Sequence, residues 1–434
     1  MKRLRLLVSG FLCASVLASA GGLRASPVHA TARAAGGVTL TYWSSTSVND
    51  PANLWMLAAI KLFEKQHPGD KVVINRYTDA QALFTAFHAA SIAGTGPDLV
   101  DLWTGLYTLR EKAFLLPLNN YLSSAEKARL VGLDSMAANL DAAHNNFYGI
   151  SSDIVTYMGY YNKALFAKAG LSAPSETFSA FLNDLKTLKK KGILPIEDGG
   201  NPWLVATNFA YFMMDTLHPS QVDALRTGKL RWTDPKIAKA LATFTSIYKS
   251  YVNPDVLTEK SPSSAFLNGK AAMLWNDGSW NMSQYEKAMG KNLGFFFIPQ
   301  IAGAVSPGFI ASGPGVATCG TSYSKNRALV VDFLKAAIAP SVMNVLVKNG
   351  AMPAATGVDP KLFPDAMSRQ LYNIVVQKTH QNKIWPLWDN YQPPTVNDAL
   401  NKEFGLAITG QATPTSALQA VDAIWQSAPA SQKG

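Results

Sequence analysis

Strand-like and helix-like segments alternate after residue 38, and this alternation limits the possible folds more than any other feature. Residues 38–43 read as a strand, and Asp50 then offers an N-cap with a proline directly behind it, which predicts a helix. Residues 71–77 and 98–103 predict two further strands, with a helix over 80–93 between them. Parallel strands need crossover connections, and helices that serve as crossovers cover the faces of the sheet. The chain is therefore predicted to be α/β.

The first thirty residues have the pattern of a secretory signal peptide. Lys2, Arg3 and Arg5 precede an apolar run over 6–17, and small-residue cleavage patterns follow at 18–20 and 28–30. We favour the second pattern, which makes 1–30 the signal peptide. The alternative is an uncleaved membrane anchor, but the uncharged stretch is barely long enough to span and contains several Ser and Gly residues.

Cys13 raises the question of a lipid anchor. The residues before it, Gly10-Phe11-Leu12, lack the small residue that a lipoprotein cleavage site needs directly ahead of its cysteine. We therefore expect an exported protein without a lipid anchor, in the periplasm or at the outer face of the cell membrane. Cys319 is then the one cysteine of the mature chain; it cannot form an internal disulfide and is expected to be buried.

The basic charge balance does not indicate nucleic acid as a partner. The whole chain has 39 basic and 29 acidic residues, a net charge of +10, but cleavage after residue 30 removes four bases and no acid and leaves +6. The densest basic run, at 189–191, is followed by Gly192. Cations in a last turn and a glycine behind them are typical of a helix C-terminus.

Signatures of catalysis are absent from the sequence. There is no His-Glu-x-x-His, no paired-cysteine metal site, no Gly-x-Ser-x-Gly and no dinucleotide or phosphate loop, and the histidines are scattered singly. We expect no catalytic residue, no metal and no cofactor. One alternative stays open: a carboxylate pair for glycoside hydrolysis could come from acids such as Asp98, Asp101, Asp153 and Asp277.

One segment carries a family pattern. Phe266 is followed by Gly269-Lys-Ala-Ala-Met273 and then by Gly278-Ser-Trp280. This run resembles the signature of family 1 extracellular solute-binding proteins of ABC importers, the carbohydrate-binding group that includes maltose-binding-protein-like receptors. Beside the resemblance, Gly269 permits a tight turn, and 271–273 reads as a short buried strand.

Three further segments resemble the same family in the same order, and together they cover nearly the whole mature chain. They are Gly94 to Leu99, the block from Tyr148 to Phe178, and Ser324-Lys325-Asn326. Two departures stand out. Ala180 occupies a position where the family often has an acid that completes a capping box, and the lipoprotein signal common in Gram-positive members is missing.

The resemblance implies a two-lobed periplasmic-binding-protein fold of type II, with the ligand cleft between two α/β lobes and a hinge of two or three crossings. The crossings are expected near residues 150–153, 295–300 and 350–355. The first lobe then combines 38–150 with about 300–352, and the second combines 151–299 with about 353–430.

The implied function is that of an extracytoplasmic receptor. It would capture a carbohydrate, which we expect to be an oligosaccharide, by closing its lobes, and would deliver it to the permease of an ABC transporter as a monomer without catalysis. Two alternatives remain. The same fold could bind a phosphorylated small molecule such as a glycerol phosphate ester, which needs Lys or Arg in the cleft. An exported carbohydrate-active hydrolase is the alternative from another class.

Ligands of open α/β sheets collect at the carboxyl ends of strands and between domains. Aromatic rings cover the C–H faces of a sugar, while carboxylates, amides and hydroxyls bond its rim. The family also often places a carboxylate for sugar hydroxyls where Asp153 stands. The expected ligand-binding residues are Ser44, Ser45, Trp103, Asp153, Trp203, Trp280, Ser312, Gly313, Trp388 and Tyr391. Trp43 fits a core edge as well as a platform, and Trp275 is expected to be buried.

Overall fold

Two β-sheets form the frame of the molecule. The computed structural model describes residues 36–131, 146–200 and 202–433, so the expected signal peptide lies outside the described residues. The strands are β1 (Thr39–Ser44), β2 (Lys71–Arg76), β3 (Leu99–Trp103), β4 (Gly149–Ser151), β5 (Ile154–Asn162), β6 (Leu194–Glu197), β7 (Ala271–Gly278), β8 (Leu293–Phe296), β9 (Ile310–Pro314), β10 (Val316–Gly320) and β11 (Ile384–Trp385).

Helices cover both sheets. They are α1 (Pro51–Gln66), α2 (Ala80–Ile92), α3 (Leu106–Arg110), α4 (Ser124–Arg129), α5 (Lys163–Ala169), α6 (Phe178–Lys190), α7 (Pro202–Met214), α8 (Pro219–Arg226), α9 (Pro235–Tyr251), α10 (Pro262–Leu267), α11 (Met282–Met289), α12 (Arg327–Ala337), α13 (Pro340–Lys348), α14 (Ala366–His380), α15 (Pro394–Ile408), α16 (Pro414–Ser427) and α17 (Ala430–Lys433). Single 3-10 turns lie at Lys112–Phe114, Ser279–Asn281, Gly290–Asn292, Pro360–Leu362 and Trp388–Tyr391.

The first lobe contains the alternating units. Its sheet has the order β2-β1-β3-β10-β4, and β1 is parallel to both β2 and β3. The helices α1 and α2 are the crossovers, so the α/β prediction is confirmed. Asp50 caps α1 as expected, because its carboxylate accepts the Ala52 N–H at 2.8 Å.

A returning segment completes the first lobe. Strand β10 pairs antiparallel with β3 and β4, and α12 and α13 behind it pack against α1. Trp55 of α1 donates its indole N–H to the carbonyl of Ala337 at 3.0 Å, and Phe63 contacts Phe333 edge-on. Cys319 of β10 is fully buried, as expected.

The second lobe is built on a six-stranded sheet of the order β11-β9-β5-β7-β6, with β8 also paired to β5. Its helices enclose a large aromatic core. The members of this core include Phe209, Phe212, Trp232, Phe244, Trp275, Trp388 and Phe404. Trp275 is buried as expected, and burial of so much aromatic area stabilises this lobe.

The chain passes between the sheets at closely spaced points. Ser152 and Asp153 join β4 to β5, and Gly315 joins β9 to β10. The stretch after α13 lies beside the first passage, where the Ile154 N–H donates to the carbonyl of Met352 at 2.7 Å. The second passage was expected near 295–300. It lies at Gly315 because both β8 and β9 pair with β5 and so stay in the second sheet.

Within the described part of the chain, no single helix is long and apolar enough to cross a membrane. One bent pair, α12 with α13, meets the criteria of length and composition together.

Candidate functional site

A cleft of about 490 Å³ lies between the two lobes. The first lobe contributes the start of α2, the end of β3 and α3, and the second lobe contributes β5, the turn at Trp280, the turn before α15 and α15 itself. The lining residues are Asp79, Ala80, Gln81, Trp103, Tyr107, Val155, Tyr157, Trp280, Gly315, Val316, Leu387, Asp389, Asn390, Asn397, Asp398 and Asn401.

A second, inner cavity of about 270 Å³ adjoins the cleft. The two share Val155, Trp280 and Val316, so the strands of the hinge and one indole ring form a common wall. The remaining residues that line the inner cavity are Tyr42, Thr46, Asp50, Ala52, Trp55, Met56, Asp101, Ser152, Asp153 and Thr318.

Four aromatic rings face the cleft. On the first lobe, Trp103 ends β3 and Tyr107 follows on α3, and their rings meet edge-on with centroids 4.9 Å apart. Phe84 of α2 contacts both from behind, at 5.4 Å in each case. On the second lobe, Tyr157 and Trp280 meet edge-on at 6.3 Å. Each pair is fixed by its own packing before any ligand binds.

Trp280 owes its position to a neighbouring glycine. It lies in the turn Ser279–Asn281, and a Cβ at Gly278 would stand 2.0 Å from the indole ring. The ring therefore rests directly on the backbone of the preceding strand. Among the residues of the family pattern, Gly278 is required by this close approach.

The polar groups of the second-lobe wall come from two short segments. Asp389 and Asn390 lie in the turn Trp388–Tyr391, and Asn397, Asp398 and Asn401 lie on the first two turns of α15. Tyr157 Oη donates to Asp389 Oδ1 at 3.0 Å. Burial raises the pKa of Asp389 to about 6, although the Tyr157 hydroxyl opposes the shift.

The lobes touch beside the cleft. Asn390 Nδ2 donates to Thr104 Oγ1 at 3.1 Å, and that hydroxyl donates to the carbonyl of Pro314 at 2.7 Å. The backbone of Asn390 also approaches Gly105 so closely that a Cβ there would lie 2.3 Å from the Asn390 oxygen, and Gly105 has φ +69°. Only glycine fits this position without strain.

The inner cavity has a polar floor. Asp101 Oδ1 accepts hydrogen bonds from Tyr42 Oη at 2.6 Å and from Thr318 Oγ1 at 2.7 Å. Asp153 accepts one from Ser152 Oγ at 2.6 Å. Burial, and after it the repulsion from Asp50, raises the pKa of Asp153 to about 7.

The two cavities are lined by acids and not by bases. Six aspartates line them, and no Lys or Arg does among the described residues: Asp79, Asp389 and Asp398 in the cleft, and Asp50, Asp101 and Asp153 in the inner cavity. In the described ranges, no three His, Cys, Asp or Glu side chains converge in a way that could hold a metal ion. The site therefore suits ligands that donate hydrogen bonds and disfavours anions.

The structure brings three of the expected ligand-binding residues to these cavities. Trp103 and Trp280 line the cleft, and Asp153 and Trp280 line the inner cavity. Trp203 belongs to α7, but its side chain lies outside the described residues.

Four expected small residues lie near the cavities without lining them. Ser44 is fully buried, and Ser312 bonds Thr156 Oγ1 at 2.8 Å and the carbonyl of Val155 at 3.0 Å. Gly313 is buried in β9 opposite Val155, and Ser45 is half-buried. The Ser44 hydroxyl accepts the Thr46 N–H at 3.1 Å. Ser44 and Ser312 therefore position neighbouring groups, since their hydroxyls are already engaged within the protein.

The two expected aromatics of the last irregular segment pack into the second lobe. Trp388 is fully buried, contacts Phe209 and Trp232, and has no hydrogen-bond partner for its indole N–H among the residues described. Tyr391 is half-buried against the same core. Trp388 is thus a core residue and not a platform, because its large apolar ring fills space under the turn that carries Asp389.

Sequence reasoning missed most of the second-lobe wall. Tyr157 lies inside β5, and nothing in its sequence neighbourhood marks it as a cleft residue. Asn397 and Asn401 had a usable signal, because residues four apart share one face of a helix. Two amides on one face near the N-terminus of α15, beside Asp398, could have indicated a polar binding surface.

Comparison with known proteins agrees with this architecture. The family model for bacterial extracellular solute-binding proteins matches residues 46–344. The diacetylchitobiose binding protein DasA of Streptomyces coelicolor is 27% identical over 223 residues, 49% of this chain and 50% of that protein. An uncharacterized ABC transporter extracellular-binding protein of Pyrococcus horikoshii is 27% identical over 189 residues, 42% of this chain and 43% of that protein.

The chain thus spans about half the length of the curated relatives it matches. Among solved structures, a chitin oligosaccharide binding protein superposes with a TM-score of 0.78 at 24% identity, covering 90% of this chain and 98% of that one. The similarity shows that the fold is the two-lobed one of periplasmic binding proteins.

Proposed function

The chain belongs to the family of bacterial extracellular solute-binding proteins, and we propose that it is a receptor that captures an oligosaccharide between its lobes and delivers it to the permease of an ABC transporter. The observation that carries the proposal is the cleft itself. Aromatic rings from both lobes face a cavity whose polar rim consists of carboxyl and amide groups. Such a surface matches the apolar faces and hydroxyl rim of a sugar.

A neutral saccharide fits the charge of the site better than a phosphorylated ligand does. A phosphate ester would need cationic side chains, and the described residues that line the cleft and the inner cavity include neither Lys nor Arg. Carboxylates would instead repel a phosphate dianion in a site with limited access to water. The glycerol phosphate alternative is therefore disfavoured.

Hydrolysis is disfavoured because only two of the four acids considered for it, Asp101 and Asp153, line a common cavity, and Asp101 is already bonded there by Tyr42 and Thr318. Asp98 is held by the backbone N–H of Thr41 at 2.8 Å and by Ser324 Oγ at 2.5 Å, away from both cavities. Asp277 is buried under Tyr285 and Asn281 and lines neither cavity. Membership of a solute-binding family agrees with a receptor that releases its ligand unchanged.

Ligand capture is proposed to proceed by rotation of the lobes about the passages at Ser152–Asp153 and Gly315. Because both walls of the cleft carry binding groups, a sugar is held fully only when the lobes approach each other, and the ligand thus favours the closed state. We propose that the protein acts as a monomer and that the closed form docks on the permease.

The proposal is tested by a thermal-shift and tryptophan-fluorescence panel on the mature chain with mono- and oligosaccharides. A ligand that binds only the folded state raises the melting temperature by mass action, by about 2.7 kcal/mol of stabilisation at a hundredfold excess over Kd. We expect at least one oligosaccharide to give a saturable response, with glycerol 3-phosphate as the negative control. A silent panel contradicts the carbohydrate assignment, and turnover of any sugar contradicts the receptor assignment.

Export is proposed to remove residues 1–30 and to leave the mature chain without a lipid. Mass spectrometry of protein secreted by a bacterial host measures both points, because cleavage and acylation change the intact mass by different amounts. A mass that includes Cys13 with attached acyl chains contradicts the second point.

A further inference from the structure

The inner cavity next to the cleft has no role in the function proposed so far. It is formed by both lobes together: Tyr42, Asp50, Trp55 and Asp101 belong to the first, and Asp153 and Trp280 belong to the hinge and the second. Its shared wall with the cleft means that one ligand could occupy both spaces. The following inference rests on the proposed function and specifies its ligand.

The inner cavity is smaller and has an apolar end. Its volume of about 270 Å³ compares with about 490 Å³ for the cleft. Trp55 and Met56 are almost fully buried behind it and pack into the core of the first lobe, so the cavity does not continue as a groove on that side. A ligand that extends from the cleft toward Trp55 and Met56 therefore ends here.

The polar groups of the inner cavity mostly accept hydrogen bonds. The hydroxyls of Tyr42 and Thr318 both donate to Asp101 Oδ1 and are already engaged there. The carboxyl group of Asp50 accepts the Ala52 N–H of its own helix, and that of Asp153 accepts the hydroxyl of the adjacent Ser152. Within the described chain, no side chain from another element donates to the carboxyl group of Asp50 or Asp153.

One cation bonds residues of this region without lining the cavity. Arg76 of β2 donates from Nη1 to the carbonyl of Thr46 at 2.9 Å and from Nη2 to Asn53 Oδ1 at 2.5 Å. It is not among the residues that line the inner cavity. A ligand group placed between Asp50, Asp101 and Asp153 thus meets acceptors and no compensating positive charge.

We propose that the inner cavity is the terminal subsite of the receptor: it holds the last unit of a saccharide of at least two units and selects an end group that donates hydrogen bonds. Hydroxyl and ammonium groups share this property, whereas a terminal carboxylate or phosphate lacks it. The main cleft then holds the preceding unit between the aromatic pairs of the two lobes.

The protonation of the aspartates in the inner cavity distinguishes a hydroxyl end group from an ammonium end group. The pKa of Asp153 is raised to about 7, and the pKa values of Asp50 and Asp101 are also raised by burial. An ammonium group would favour the ionised carboxyl groups and release protons on binding near neutral pH, whereas a hydroxyl group would not. Proton release is measurable as a dependence of the binding enthalpy on the buffer.

The test is isothermal titration calorimetry of the mature chain at pH 6 and pH 8 in two buffers. The probes are glucose, cellobiose, cellobiouronic acid, N,N′-diacetylchitobiose and chitobiose. We expect one or more of the disaccharides that end in hydroxyl or ammonium groups to bind at least tenfold more tightly than glucose and than the uronic acid. Buffer-dependent enthalpy with chitobiose alone assigns the ammonium group, and its absence assigns the hydroxyl group.

A pair of variants on α1 locates the binding. Ala52→Met places a longer side chain into the inner cavity, whereas Leu54→Met lies on the exposed face of the same helix. Ala52→Met is expected to weaken disaccharide binding at least tenfold and to leave weak glucose binding within twofold. Leu54→Met should leave both unchanged, and matching far-UV spectra and melting temperatures confirm folding.

The outcomes distinguish the inference from the function on which it rests. Measurable and equal binding of cellobiose and its uronic acid, or equal affinity for glucose and every disaccharide that binds, overturns the terminal subsite while the saccharide receptor stands. An Ala52→Met variant with full disaccharide affinity overturns it as well. If none of the probes binds and the wider sugar panel is also silent, the receptor function fails and the subsite fails with it.

Discussion

The two walls of the cleft are built in different ways. The first-lobe wall comes from strand ends and the turns directly behind them, where Trp103 ends β3 and Tyr107 lies one turn later on α3. The second-lobe wall comes from the turn at Trp280 and from a turn and helix more than a hundred residues further on, which carry Asp389 and Asn397. A strand end has a defined position in a sheet, whereas a short turn takes its orientation from what packs beneath it.

Two tryptophans illustrate this difference within the second lobe. Trp280 faces both cavities, while Trp388 is fully buried although the next residue, Asp389, lines the cleft. Adjacent residues in a turn point in opposite directions, so closeness to a binding residue in the sequence does not make a side chain part of the site. Substitutions in this lobe can therefore separate residues that build the second-lobe wall from those that contact the ligand.

The largest effect is expected for Trp388→Ala. Removing a fully buried indole leaves a cavity in the aromatic core and should lower the free energy of unfolding by about 3–5 kcal/mol. Urea denaturation followed by circular dichroism measures this loss. A change below about 1 kcal/mol would contradict the core assignment.

Trp280→Ala should affect ligand binding more than it affects stability. The ring lines both cavities, so its loss is expected to weaken oligosaccharide binding by about thirtyfold, or ~2 kcal/mol, while the free energy of unfolding changes less than in Trp388→Ala. Calorimetric titration with the best sugar of the panel gives the affinity. Tyr121→Ala, an exposed aromatic outside both cavities, is the matched control and should bind like the parent chain.

Two buried acids allow a residue of the inner cavity to be compared with one elsewhere in the second lobe. Burial raises the pKa of both Asp153 and Glu197 to about 7, but Glu197 lies at the end of β6 outside the two cavities. A raised pKa in the folded state means that the stability contributed by the protonated form is present at pH 4 and is lost as the pH rises through 7.

In the parent chain, each of these acids makes the unfolding free energy fall between pH 4 and pH 8. Asp153→Asn and Glu197→Gln should therefore each reduce that fall by about 1–2 kcal/mol. Only Asp153→Asn should also weaken sugar binding, because only Asp153 lines a cavity of the proposed site. Denaturant titrations at four pH values, with and without sugar, provide the data. Equal effects of the two variants on binding would remove Asp153 from the site.

The smallest effect is expected for Gly278→Ala. The new methyl group would collide with the Trp280 ring, which must shift, while the extended backbone at φ −150° accepts alanine without strain. We expect affinity to fall about fivefold, or ~1 kcal/mol, with a similarly small change in stability. An unchanged affinity would show that the ring position is not critical.

Much of the first lobe could be predicted from the sequence, because its signals are local. Periodicity and an N-cap located β1, α1, β2, α2 and β3 to within a few residues, since those features depend on the segment itself. Trp103 could be predicted as a cleft residue because ligands of such sheets bind at the carboxyl ends of the parallel strands. The passage at Gly315 was harder to predict from the sequence, since its position depends on which sheet β8 and β9 join.

The sequence by itself determined the α/β class, the family and a cleft expected to be rich in aromatic and carboxyl groups, because those rest on periodicity, composition and short ordered motifs. Only the tertiary structure decided that Trp388 is core, that Tyr157 and Asn397 share a wall with Trp280, and that Asp50, Asp101 and Asp153 enclose a second cavity. These are contacts between residues far apart in the chain, and their direction is set by packing, which no local pattern encodes.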